Sequence, residues 1–91
     1  MSAQPVIETP RLVWLVDDDR SIRFVLEKAL SGAGFLVESF DAAEPALRAL
    51  GLRRPDLVFT DVRMPGMDGM VFLEKLGERA ANLPVVVMSA Y

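Results

Sequence analysis

A run of five apolar residues, Leu12 to Val16, stops at three consecutive aspartates, and the chain then switches to helical spacing. Uninterrupted apolar runs of this length read as strands buried on both faces. Apolar residues three and four apart read as one stripe of a helix. Ile22, Val25, Leu26, Ala29 and Leu30 follow the second pattern, with Asp19 placed to cap the helix start and Gly32 and Gly34 to end it. Residues 35–40 predict a second strand of mixed polarity. Ala43, Ala46, Leu47 and Leu50 stripe a short helix entered near Asp41 and ended near Gly51, and Pro45 fits only in its first turn. Residues 56–60 predict a third, nearly all-apolar strand, Met70, Leu73 and Leu76 mark a third helix, and residues 84–88 a fourth strand ending at Ser89.

The order β-α-β-α-β-α-β predicts an α/β fold in which each crossover is right-handed and the sheet is parallel. Residues 1–10, with prolines at 5 and 10 and little apolar periodicity, read as a flexible lead-in, which leaves 11–91 as the folded domain. A chain of 91 residues makes one small domain, near the size where burial only just offsets chain entropy.

Charge and composition narrow the function. A net charge of −3 and a pI near 4.8 argue against direct nucleic-acid binding or attachment to an anionic membrane, since both need a basic face. The pair Arg53-Arg54 reads as a solvated loop. With no Cys there is no disulfide framework or thiolate metal site, which suits a cytoplasmic protein. With no His the chain has no histidine nucleophile, base or ligand of its own. No apolar run approaches the ~20 residues needed to span a bilayer, and the first eleven residues lack the basic-then-apolar order of a signal peptide.

The candidate chemistry sits at the strand ends. Asp17, Asp18 and Asp19 terminate the first strand and Asp61 the third. Parallel strands ending side by side would bring Asp17, Asp18 and Asp61 into one crevice, the place where open α/β sheets bind ligands. Mg²⁺ is usually held by one or two carboxylates plus a phosphate oxygen, and without an ion the clustered charges repel. An aspartate beside such an ion is also a possible nucleophile towards phosphorus, giving an aspartyl phosphate. Asp61, delivered by a central strand, suits that role, with Asp17 and Asp18 opposite to hold the ion. Ser89 places a hydroxyl within reach of a phosphoryl oxygen, or is a turn residue. Asp19 reads first as a helix cap, and Pro65, Gly66 and Gly69 are equally compatible with ordinary turn chemistry.

Three segments carry a family resemblance: Val16-Asp17-Asp18-Asp19, Asp61-Val62-Arg63-Met64-Pro65-Gly66-Met67-Asp68-Gly69, and Val87-Met88-Ser89-Ala90. Together they resemble the receiver domain of bacterial two-component response regulators, over roughly residues 11–91. The stretch 13–30 most resembles the NtrC-type nitrogen regulators. The resemblance implies a flavodoxin-like (CheY-like) doubly wound parallel sheet, here with strand order 2-1-3-4. It implies that Asp61 is the phosphoacceptor, that Asp18, Asp61 and the backbone carbonyl of Arg63 bind Mg²⁺ directly, and that Asp17 acts through water. Ser89 stands at the position of the switch hydroxyl. The implied partners are a sensor histidine kinase, which supplies the phosphohistidine, and ATPase and DNA-binding output domains elsewhere in the parent protein.

Against the family pattern, the chain stops after the fourth strand. The fifth strand, the last two helices and the phosphate-contacting lysine are expected to be missing, and neither Lys28 nor Lys75 follows a later strand. An uncovered fourth strand predicts a homo-oligomer formed through the exposed edge or by segment exchange. Two alternatives remain at this stage. Asp17-Asp18-Asp19-Arg20-Ser21 fits the nucleophile motif of haloacid-dehalogenase-type phosphatases, with Asp17 as nucleophile, and the domain is otherwise readable as an interaction module that is not phosphorylated.

Overall fold

In the computed structural model, which describes residues 11–61 and 69–88, the apolar run is the strand β1 (Leu12–Val16). It is followed by α1 (Arg20–Gly32), β2 (Leu36–Phe40), α2 (Ala43–Leu50), β3 (Leu57–Asp61), α3 (Gly69–Arg79) and β4 (Val85–Met88). The strands form one parallel sheet in the order β2-β1-β3-β4, as the resemblance implies. β1 pairs on both sides, Val13 to Val16 being fully buried, and this is why the sequence spends five consecutive apolar residues on it.

Side chains alternate across the sheet. One face carries Trp14, Val16 and Val58 against Ala43, Ala46, Leu47 and Ala49 of α2 and Phe72 and Leu76 of α3, forming the main core. The other face is covered by α1, which packs over β1 and β2 and has no fully buried residue. Of the predicted stripe on α1, Ile22, Leu26 and Leu30 are half-buried, whereas Val25 is 62% exposed and Ala29 is exposed.

The helix signals worked unevenly. Asp19 caps α1 as expected, accepting from the N–H groups of Ser21 (2.8 Å) and Ile22 (3.1 Å). At the other end, Gly34 takes φ 98°, with the Gly34 N–H donating to the Ser31 carbonyl and Phe35 N–H to that of Leu30. That is the paired closure a glycine one residue past the helix cap, Ala33, allows. α2 begins one residue later than Asp41 suggested: Ala42, extended at φ −156° and ψ 166°, precedes its first turn with no side-chain cap. On α3 the buried positions are Gly69, Phe72 and Leu76; Met70 is 63% exposed and Leu73 only half-buried, which corrects the predicted stripe. Four apolar residues in succession, 70–73, leave the phase of that helix open in the sequence, and packing against Val58 and Trp14 selects Phe72.

β3 starts at Leu57 rather than Asp56. Asp56 instead fastens the start of β1, its carboxylate accepting from the Leu12 N–H at 2.8 Å and its own N–H donating to the Leu12 carbonyl at 2.8 Å. Among the described residues no helix is long and apolar enough to cross a membrane.

Candidate functional site

Val16 and Thr60 are register partners on β1 and β3, so the residues that follow them, Asp17 and Asp61, emerge side by side at the same edge of the sheet. Asp17 continues the β1 ladder by donating its N–H to the Phe40 carbonyl (3.1 Å), and it is only 2% exposed. Asp61 is half-buried and Asp18 exposed. Each of Asp17, Asp18 and Asp61 offers a carboxylate oxygen, and the three oxygens lie within 4.8 Å of one another. The crevice expected from the strand ends is therefore formed, and by those three residues.

Asp19 stands apart from it. Its side chain turns to the α1 N-terminus, while its N–H donates to Asp17 Oδ1 at 2.8 Å. The residue that the phosphatase motif would share with Asp17 is thus engaged in capping.

Burial pushes the Asp17 carboxyl above its ordinary value, and the charges of Asp61, Asp18 and Asp19 push it the same way, against the opposing hydrogen bond from the Asp19 N–H. A buried carboxylate beside two others is unfavourable alone and favourable beside a cation. The donor set, oxygen only and rich in charge, fits a hard divalent ion such as Mg²⁺. Arg63, Ser89, Pro65 and Gly66 lie outside the described residues, as does the lead-in 1–10.

Two neighbours of the cluster escaped the sequence reading. Thr60, fully buried under the site, donates its hydroxyl to the Asp61 carbonyl at 3.1 Å. Arg23 reaches back from α1 and donates from Nη1 to the Asp17 carbonyl at 2.6 Å. The only hint of the second in the sequence is a cation in the first turns of a helix, where the dipole disfavours one.

A parallel 2-1-3-4 sheet with a carboxylate cluster at the ends of its two inner strands defines a receiver-type α/β module. Residues 13–91 match the response regulator receiver domain, and the chain belongs to that family. Within it the chain is NtrC-like. It is 48% identical over 80 residues to the DNA-binding transcriptional regulator NtrC of Escherichia coli, an alignment covering 88% of this chain and 17% of that relative. The chain therefore spans only 17% of the length of these NtrC relatives.

Solved structures agree. The apo receiver domain of nitrogen regulatory protein C in solution is similar at a TM-score of 0.81 and 47% identity, over 89% of this chain and 65% of that one. The response regulator TrrA of Thermotoga maritima, crystallised in complex with Mg²⁺-BeF, is similar at a TM-score of 0.84 and 26% identity, over 89% of this chain and 70% of that one.

Proposed function

We propose that this chain is the phospho-accepting module of an NtrC-like response regulator, with residues 11–91 forming the receiver unit and 1–10 a lead-in. The observation that carries the reading is the convergence of Asp17, Asp18 and Asp61 at the ends of β1 and β3 in a chain of the receiver family. Asp61 is the acceptor. One of its carboxylate oxygens attacks phosphorus on a sensor kinase's phosphohistidine; the O–P bond forms as the P–N bond breaks, and the imidazole leaves with the electron pair.

Asp18, Asp61 and the Arg63 carbonyl would hold Mg²⁺ directly and Asp17 through water, and the ion, when bound, supplies positive charge against the transferring phosphoryl group. Thr60 fixes the backbone from which Asp61 projects. Ser89 would then act as the switch hydroxyl, turning a local change of charge into a change at a distant surface that controls transcription through ATPase and DNA-binding domains of the parent protein. The domain itself turns over no substrate of its own and works in the cytoplasm.

The test is intact-mass spectrometry after incubation with a small acyl phosphate, with and without Mg²⁺, run beside Asp61→Asn. The expected result is the gain of one phosphoryl group that needs both Mg²⁺ and Asp61. A folded wild-type chain, verified by circular dichroism, that gains nothing under either condition counts against the reading.

The same chain is expected to self-associate. β4 is an outer strand of the sheet, and Val86 and Val87 are 42% and 44% exposed on its two faces. Among the described residues nothing pairs with the outer edge of β4, and a second copy pairing along it would extend the sheet and set side chains beside both valines. Light scattering at high concentration checks this: a mass above that of one chain is expected, and a sharp monomer mass removes the proposal.

A further inference from the structure

The Asp17 peptide is held from three directions. Its N–H donates to the Phe40 carbonyl at 3.1 Å, its Oδ1 accepts from the Asp19 N–H at 2.8 Å, and its carbonyl accepts from Arg23 Nη1 at 2.6 Å. The first two bonds belong to the strand ladder and the turn. The third comes from a long side chain four residues into α1, and the carbonyl it holds is the one that fixes the peptide plane leading into Asp18.

We infer that Arg23 is a positioning residue for the metal site: its guanidinium locks the Asp17–Asp18 peptide so that both carboxylates face Asp61. The inference rests on the metal-binding reading given above. The acids of the site, Asp17, Asp18, Asp19 and Asp61, attract a cation, although the α1 N-terminus disfavours one. The hydrogen bond that the guanidinium makes goes to the Asp17 carbonyl rather than to a carboxylate, so half-buried Arg23 bears on the geometry of the site as well as on its charge.

The two roles predict opposite signs. If Arg23 acted only as a charge, removing it would tighten Mg²⁺ binding, because a repulsion is lost. If it positions the ligands, removing it loosens binding, as the loss of partners that orient metal ligands does, by about tenfold or more.

The experiment is a Mg²⁺ titration of the full 91-residue chain followed by amide NMR, which reports affinity and fold in the same spectra. Arg23→Met is expected to weaken Mg²⁺ about tenfold, and Arg23→Lys, which keeps the charge and one donor, to recover part of that loss. Arg20→Met, which removes an exposed cation one turn earlier, is expected to bind at least as tightly as wild type. Should Arg23→Met lose its folded spectrum, Arg23→Gln carries the same comparison. Binding by Arg23→Met as tight as or tighter than wild type overturns the inference, as does an equal loss in Arg20→Met. Loss of binding in Asp18→Asn alone, with the Arg23 variants unaffected, leaves the metal site standing and removes Arg23 from it. A wild-type chain with no saturable Mg²⁺ response overturns both.

Discussion

Trp14 donates its indole N–H to Glu38 Oε1 at 2.9 Å, and the two residues are register partners across the β1–β2 pair. The bond lets a fully buried tryptophan on the central strand satisfy its one polar atom without leaving the core. Phe40 meets the same ring edge-on at 5.0 Å between centroids, and Arg53, from the turn after α2, closes on the Glu38 carboxylate with both Nε and Nη2. Glu38→Ala strands the indole N–H in an apolar surrounding. The expected cost is about 1–3 kcal/mol, read as a lower midpoint in urea unfolding. Arg53→Ala leaves the indole bond intact, and because that ion pair is exposed to solvent its loss is expected to lower the midpoint much less than Glu38→Ala does.

The same carboxylate makes stability depend on acid. Arg53, and then the Trp14 N–H, hold the Glu38 carboxyl below its ordinary value of 4.5, against the opposing effect of burial. The unfolded chain therefore takes up the Glu38 proton at a higher pH than the folded one. The stabilisation is fully present above 4.5 and is lost as pH falls through the lower folded value. Unfolding midpoints measured across the acid range are expected to fall less steeply in Glu38→Gln than in wild type; parallel curves would show that the coupling is absent.

How much of this was legible in the sequence depends on how far apart the interacting residues lie. β1 was readable because it is buried on both faces and so carries an unbroken apolar run, β3 because it is nearly all apolar although only Val58 and Thr60 are fully buried, and the strand ends were readable because the acids stop those runs abruptly. The closure of α1 at Gly34 is a local signal and was found. The stripe on α3 was misplaced because Met70, Val71, Phe72 and Leu73 offer every helical phase, and only the core decides among them. Residue-level pairings across the fold left no clear trace. Trp14 with Glu38 follows from strand register, Arg53 reaches Glu38 from the turn after α2, and the bond from Arg23 to the Asp17 carbonyl depends on how α1 is set against the end of β1.

Asp19 separates capping from metal binding. Its carboxylate accepts two N–H bonds at the start of α1 and is not part of the three-acid cluster. Asp19→Ala is expected to cost about 1 kcal/mol of folding stability, the usual value of a lost N-cap. Its Mg²⁺ affinity should change far less than that of Asp18→Asn, and calorimetric titration of the two variants side by side makes the comparison. Equal losses would place Asp19 in the site and undo the division of labour between neighbouring aspartates.

Asp17 presents the reverse case, a residue whose burial harms the ion-free protein. Its carboxyl is raised above the ordinary 3.8 chiefly by burial and then by the charges of Asp61, Asp18 and Asp19. The folded chain therefore holds the Asp17 proton more tightly than the unfolded chain does. Stability without metal declines as pH rises from 3.8 through the higher folded value, and at neutral pH the ionised carboxylate is a net cost. Asp17→Asn keeps an oxygen able to accept the Asp19 N–H and removes the charge, so it is expected to melt above wild type when magnesium is chelated. With Mg²⁺ at about a hundred times its Kd the order should reverse. Wild type gains about 2.7 kcal/mol from binding, whereas Asp17→Asn, short of one charge opposite the ion, gains much less. Thermal unfolding of both proteins, with chelator and with excess Mg²⁺, gives the four melting temperatures required. A wild-type chain already more stable than Asp17→Asn in chelator would mean that Asp17 is satisfied by the fold alone and that its burial has no connection with an ion.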